Sequence, residues 1–129
     1  MHDALRYLPP SCEREKMKIE ENILNDVSSI KLEGRFDANT SDAVEKFIRE
    51  KIEKGCSQFV LNMENVSFIS SAGLRVVIII ARELRNEHQG DLHIAVLQPS
   101  VKRVFEISGL NNILKIFDDE QTATEVFSK

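Results

Sequence analysis

The stretch QFVLNMENVSFISSAGLRVVIIIARELRNEH (residues 58–88) predicts a strand, a loop and a helix, and this unit decides the fold. Gln58–Met63 is a short apolar run of the kind found in buried strands. Glu64–Ile69 is predicted as a loop. From Ser71 to about His88 apolar residues recur at helical spacing. A buried strand followed by an amphipathic helix is the building unit of α/β domains.

Outward from this unit the alternation continues in both directions. Lys18–Leu24 and Val27–Glu33 predict two strands joined by the turn-prone pair Asn25-Asp26, with Gly34 ending the second strand. The other predicted elements are a helix between Asn39 and Gly55, a strand at Asp91–Leu97, a helix from Pro99 to Gly109, a strand at Ile113–Phe117 and a helix at Glu120–Phe127. The order β-β-α-β-α-β-α-β-α predicts an α/β domain with a mostly parallel sheet and helices mainly on one face.

Composition restricts the classes of partner. The chain has 129 residues and a formal net charge of −4, with acidic and basic side chains interleaved. No stretch gathers Lys and Arg into the basic stripe that nucleic-acid binding or attachment to an anionic membrane requires. We therefore expect a protein partner, or a small phosphate-bearing ligand, and neither nucleic acid nor membrane.

The first residues and the cysteines indicate the compartment. Met1–Lys16 lacks the design of a signal peptide and, with Pro9-Pro10, predicts a flexible N-terminal arm before a single domain at 17–129. Cys12 and Cys56 are far apart and show no metal-binding spacing. We expect free thiols, a cytoplasmic location, no metal and no cofactor.

The two serines at the predicted start of the second helix are the first candidate site. The N-terminus of a helix carries unpaired N–H groups and a positive dipole end, so a phosphate on Ser70 or Ser71 would be favoured there. Ala72 and Gly73 leave room for a large enzyme to approach. Spacing alone equally allows a simple role, in which one serine caps the helix and Gly73 permits close packing.

Catalysis by these serines is not indicated. The Gly-x-Ser-x-Gly elbow of serine hydrolases is absent, because Phe68 and Ile69 stand two residues before the serines. None of the histidines, at positions 2, 88 and 93, is evidently placed as a base, and His93 is predicted to be a half-buried strand residue. A nucleotide-binding module that uses the same helix N-terminus is a further alternative, but this sequence contains no glycine loop to cradle a phosphate. The chain is predicted not to be an enzyme.

The segment before the first helix is the second candidate site. Asp37 follows the second strand, and the crossover rules for parallel sheets place it near the same sheet edge as Ser71. A turn-forming Asp that bonds only to the local backbone is the alternative.

Four patches together resemble a known family. They are GRFDANT (34–40), FVLNMENVSFI (59–69), SSAGL (70–74) and PSVKRVFEISGL (99–110). From Met17 onward the chain resembles the anti-sigma factor antagonists, the stand-alone STAS domains of bacterial partner switching. SSAGL is similar to the Asp-Ser-[Ser/Ala/Thr]-Gly-Leu signature of that family, and GRFD to its segment before the first helix.

The resemblance implies a mechanism and a set of site residues. The unphosphorylated protein is expected to bind an anti-sigma factor that is also a serine kinase; phosphorylation breaks the complex, and a serine phosphatase restores it. The acceptor position falls on Ser71. The implied partner-binding residues are Asp37, Ser70, Ser71, Ala72, Gly73 and Leu74.

One departure from the signature leaves two alternatives open. Ser70 stands where the family has Asp, which makes it the second candidate acceptor after Ser71. A non-switching STAS subunit, such as the accessory protein of a lipid-transport ATPase, would dock through the same fold without needing Ser71.

Overall fold

Within residues 17–128, which the computed structural model describes, five strands form one sheet. The strands are β1 (Lys18–Leu24), β2 (Val27–Phe36), β3 (Gln58–Ile69), β4 (Asp91–Ala95) and β5 (Lys115–Phe117). The helices are α1 (Ser41–Glu53), α2 (Ser71–Glu87), α3 (Pro99–Ile107) and α4 (Glu120–Glu125), with 3-10 turns at Leu110–Asn112 and Val126–Ser128. Strands neighbour one another in chain order; β1 pairs antiparallel with β2, and the other pairs are parallel. The predicted element order and mostly parallel sheet are confirmed, whereas the predicted arm, 1–16, lies outside the described residues.

One face of the sheet carries the main hydrophobic core. Alternate strand residues such as Ile30, Leu61 and Ile94 are fully buried there against α1, α2 and α3. Val77 and Phe105 fill the helix side of this core. Full burial of each such side chain stabilises the fold by about 1.5–3 kcal/mol, so this face supplies most of the stability.

The opposite face is covered only in part, by the short helix α4. Its apolar contact is small and includes Val60 on β3 and Ala123 on α4. A polar contact lies beside it: the carboxylate of Glu120 accepts a hydrogen bond from the Asn62 amide at 2.7 Å and another from the Ser29 hydroxyl. The prediction that helices lie mainly on one face is therefore confirmed.

The strand ends at the carboxyl edge of the sheet correct the sequence prediction. Glu64–Ile69 is not a loop: β3 continues to Ile69, and β2 continues past Gly34 to Phe36. The register between the two strands shifts twice, and each shift gives β3 one extra residue. These bulges break the period-2 pattern, because buried residues on β3 then recur three positions apart rather than two.

Three further boundaries differ from prediction. β4 ends at Ala95 rather than Leu97, because Val96 has φ of 59°, which an extended strand cannot contain. β5 starts at Lys115 rather than Ile113, since Ile113 still donates its N–H to the Leu110 carbonyl at 3.0 Å. The last helix ends at Glu125 and continues as a 3-10 turn.

Over residues 17–128, no helix combines the length and apolar character that crossing a bilayer requires. In the same part of the chain, no group of three or more His, Cys, Asp or Glu side chains is placed to hold a metal ion. Cys56 is a half-buried free cysteine, and Cys12 lies outside the described residues.

His93 links the sheet to the end of the chain. It is fully buried on β4 rather than half-buried, and its ring stacks on Phe127 with 3.8 Å between ring centroids. Its Nδ1 lies 2.8 Å from the Ala123 carbonyl, which can only accept, so Nδ1 carries the proton. Burial lowers the pKa of His93, and this outweighs the opposite effects of the Ala123 carbonyl and of Asp91, whose Oδ2 lies 3.7 Å from Nε2.

We predict that the unfolding free energy falls as the pH drops from 7.5 to 5.5. The unfolded chain takes up a proton on His93 near the ordinary histidine pKa, whereas the folded chain resists protonation until lower pH, so acid favours unfolding. One such group contributes at most about 1.4 kcal/mol per pH unit. Urea unfolding across this pH range should show a shallower dependence of the unfolding free energy on pH for His93→Gln than for wild type; equal dependence in the two proteins would contradict the assignment.

Candidate functional site

The register of β2 and β3 brings the two candidate segments together. Phe36 and Ile69 are paired at the carboxyl ends of these parallel strands, so the next residues, Asp37 and Ser70, leave the sheet side by side. The Ser70 N–H donates to the Phe36 carbonyl at 3.0 Å and closes the junction. Asp37 and the serines therefore share one sheet edge, as the crossover rules predict.

Ser70 is the N-cap of α2. Its backbone is extended (φ −100°, ψ 177°), and its Oγ accepts a hydrogen bond from the Gly73 N–H at 3.5 Å. Its carbonyl accepts the Leu74 N–H at 2.9 Å, and the residue is half-buried. Backbone and side chain of Ser70 are thus both used to start the helix.

Ser71 has a different environment, although it is the next residue. It is the first residue of α2 and is exposed to solvent. Ala72 and Leu74 are half-buried and Gly73 is buried, so the first turn presents the Ser71 side chain outward over a surface of small and apolar groups. A macromolecule can reach this hydroxyl without unfolding the helix.

Gly73 is required by the close approach of α2 to β2. A Cβ atom at this position would lie 2.6 Å from the Phe36 carbonyl oxygen and 2.9 Å from Cγ1 of Ile69. The Phe36 oxygen is backbone and is already bonded to Ser70, so it cannot move aside cheaply. The glycine therefore sets how closely the two candidate segments approach each other.

Asp37 organises its own loop. Its Oδ1 accepts the Asn39 N–H at 3.0 Å, and its carbonyl accepts the Ser41 N–H at 2.8 Å. Its Oδ2 lies 3.5 Å from Nε of Arg35, and the side chain is only 16% exposed. These contacts are those of a turn-forming Asp, so most of its carboxylate is committed within the chain.

Thr40 is a positioning residue that the sequence analysis did not single out. It occupies the N-cap position of α1, but its side chain makes no cap bond to that helix. Instead its Oγ1 donates to the Arg35 carbonyl at 2.6 Å and accepts the Asp37 N–H at 2.9 Å. The buried hydroxyl closes the loop around Asp37, a role that no local pattern separates from capping.

Two surface features next to Ser71 were not predicted. The guanidinium of Arg35 lies over the ring of exposed Phe68, 4.2 Å from its centroid, at the end of β3. A groove of about 440 Å³ separates the N-terminal halves of α1 and α2. Its walls include Asp42 on α1 and Arg75 on α2. The sequence signal that could have pointed to Arg75 is its position four residues after Ser71.

Comparisons with known proteins agree on one family. Residues 18–123 match the model of the STAS domain family. The chain is 33% identical over 109 residues to the anti-sigma F factor antagonist of Paenibacillus polymyxa, covering 83% of this chain and 92% of that protein. It is 35% identical over 96 residues to BtrV of Bordetella bronchiseptica, named there as an inferred anti-sigma factor antagonist, covering 74% of this chain and 82% of BtrV.

Among solved structures the fold matches the anti-sigma factor antagonist SpoIIAA of Bacillus in two states. For the unphosphorylated form the TM-score is 0.73 at 24% identity, over 87% of this chain and 98% of that one. For the phosphorylated form the TM-score is 0.66 at 23% identity, over 84% and 99%. At this identity the likeness shows the fold.

We predict that Gly73→Ala destabilises the protein by about 1–3 kcal/mol, because the added methyl group meets the Phe36 carbonyl. Without that contact the same change would stabilise a helix by up to about 1 kcal/mol. The sign of the change in unfolding free energy, measured with urea, therefore shows whether the close approach to Phe36 exists. Ser71→Ala, at an exposed position of the same turn, is the control and should stay within about 0.5 kcal/mol of wild type; stabilisation by Gly73→Ala would refute the close approach.

Proposed function

The chain belongs to the STAS domain family, and we propose that it is an anti-sigma factor antagonist whose docking is switched off by phosphorylation of Ser71. The resemblance detected in the four sequence patches is confirmed by the family match and by the named relatives. Those relatives are regulatory proteins named for the factor that they antagonise. The proposal adds to these names a kinase, a phosphatase and the residue that is modified.

The observation that carries the proposal is the contrast between the two serines. Ser71 is exposed at the first position of α2, whereas Ser70 is half-buried and accepts the Gly73 N–H. A kinase must reach the hydroxyl that it modifies, and this requirement favours Ser71. At position 70, Ser replaces the Asp of the family signature with another good N-cap residue, so the helix start is preserved.

The proposed docking face is the first turn of α2 together with the edge around it. Ser71, Ala72 and Leu74 offer a small, uncrowded surface on which a partner can seat closely. Ser70 and Gly73 hold this turn against β2, and Asp37 holds the neighbouring loop. Asp37 would then act on the partner chiefly through the shape of its loop, with a minor share of direct contact.

Electrostatics explains how one modification could release the partner. Transfer of the γ-phosphoryl group of ATP to Oγ of Ser71 replaces a neutral hydroxyl by a group with a charge of about −1.5 to −2 at pH 7. The site is at a helix N-terminus, so the helix itself tolerates this charge. An interface closed over the phosphate would have to desolvate it, which costs several kcal/mol unless a cation of the partner meets it.

The proposal names three kinds of partner event. The unmodified chain binds an anti-sigma factor with serine kinase activity, that kinase transfers the phosphoryl group to Ser71, and a serine phosphatase hydrolyses the ester and returns the binding form. All three would take place in the cytoplasm, where the sigma factor works. The chain itself contributes a surface and an acceptor hydroxyl rather than catalysis.

We predict that Ser71→Asp weakens binding to the cognate anti-sigma factor by about two orders of magnitude, whereas Ser71→Ala binds like wild type. The carboxylate places a charge in the interface, and the methyl group does not. Isothermal titration calorimetry with purified anti-sigma factor candidates, taken first from the neighbouring genes, measures both affinities.

Ser70→Asp is the matched control. It adds the same charge one residue earlier, where the carboxylate can cap α2 as Ser70 does, so it should bind within a few-fold of wild type. Equal affinity of wild type, Ser71→Ala and Ser71→Asp for one shared partner would reject the switch. That result would favour the non-switching STAS subunit instead.

A further inference from the structure

Arg75 lies one helical turn after Ser71 on α2. Both residues are exposed. Side chains four positions apart on a helix are neighbours on its surface, and an acidic group preceding a basic one in this spacing is the more favourable orientation. A group attached to the Ser71 oxygen is therefore within reach of the Arg75 guanidinium.

Arg75 is not committed to an ion pair in the part of the chain that the structure describes. Arg35, Arg49 and Arg85 each lie within 4.0 Å of a carboxylate, but between residues 17 and 128 no such carboxylate lies beside Arg75. Arg75 instead lines the groove between α1 and α2, where Asp42 belongs to the other wall. Its side chain can thus be drawn to a new anion without breaking an existing pair.

We propose that Arg75 is the residue of this chain that receives the phosphate on Ser71. The proposal rests on the proposed function, because it requires a phosphate at this position. A guanidinium offers a fork of donors that matches two phosphate oxygens, and such charge-assisted hydrogen bonds are stronger than neutral ones. Arg75 then holds the phosphate against its own helix.

This contact changes the docking face in two ways at once. The phosphate adds negative charge at Ser71, and Arg75 turns from the groove toward it. The groove loses the guanidinium of Arg75 and keeps the carboxylate of Asp42, whereas that of Glu45 is paired with Arg49 at 3.0 Å. A partner that fits the unmodified face would then meet an anion at Ser71 and a more acidic groove, so Arg75 extends the effect of one phosphate across the space between two helices.

The test is a phosphorus NMR titration of the full chain carrying phosphoserine at position 71. The residue is introduced by genetic encoding, so the sample does not depend on any kinase. Arg75 favours the dianion of the phosphate and lowers its titration midpoint. We expect Arg75→Gln to raise the midpoint by roughly 0.15–0.4 of a pH unit and Arg75→Lys to give an intermediate value.

Arg82→Gln is the matched control, because it removes the same charge from an exposed position of the same helix, about three turns from Ser71. It should leave the midpoint within 0.1 of a pH unit, on the order expected of an exposed and screened charge. Equal midpoints for Arg75→Gln and Arg82→Gln would overturn the assignment of Arg75. Failure of a kinase to modify Ser71 would instead overturn the proposed function, and the two failures are thereby distinguished.

Discussion

The parallel pairing of β2 with β3 is the constraint on which the rest of the site depends. Because Phe36 lies in register with Ile69, the loop that carries Asp37 and the loop that carries the serines leave the sheet together. The bond from the Ser70 N–H to the Phe36 carbonyl fixes this junction. The same junction explains why a side chain at position 73 has no space, because α2 starts directly against the backbone of β2. Sheet register, helix start and the exposure of Ser71 are thus parts of one arrangement.

Different helices cover the two faces of the sheet, and this separates the edge that carries Ser71 from the last helix of the chain. α1 and α2 both pack on the main core and frame the groove beside Ser71. α4 lies on the other face, where the Glu120 carboxylate is satisfied by Ser29 and Asn62 and where His93 contacts Ala123. A change at the exposed Ser71 can therefore alter the surface of this edge while the fold is retained.

Much of the fold could be predicted from the sequence, because periodicity and turn residues mark the elements directly. The hairpin at Asn25-Asp26 and the amphipathic pattern of α2 are local signals, and both elements are where the pattern placed them. The end of β3 could not be predicted. Its polar residues suggested a loop, and only pairing with β2 through two bulges keeps this segment in the sheet. Bulges depend on a partner strand, which a local pattern does not contain.

The site was predictable to a similar extent. The position of Asp37 beside the serines followed from the handedness of crossovers, and the likeness to a family singled out Ser71. The division of roles between the serines did not follow, since either could cap a helix and only the geometry makes Ser70 the cap. The role of Thr40 did not follow either, because its hydroxyl donates to the Arg35 carbonyl instead of capping α1. Arg75 was not predicted, because its proposed role depends on a phosphate on Ser71, one turn before it.

The central claim, that Ser71 is the residue through which this domain is controlled, is tested most directly by mapping phosphate after incubation with ATP and the cognate anti-sigma factor kinase. Fragmentation mass spectrometry of the peptide that contains both serines separates the two positions. The account predicts phosphate on Ser71 in wild type and in Ser70→Ala, and none in Ser71→Ala. Phosphate on Ser70 alone, or an unmodified peptide from a kinase that is active on another substrate, would contradict it.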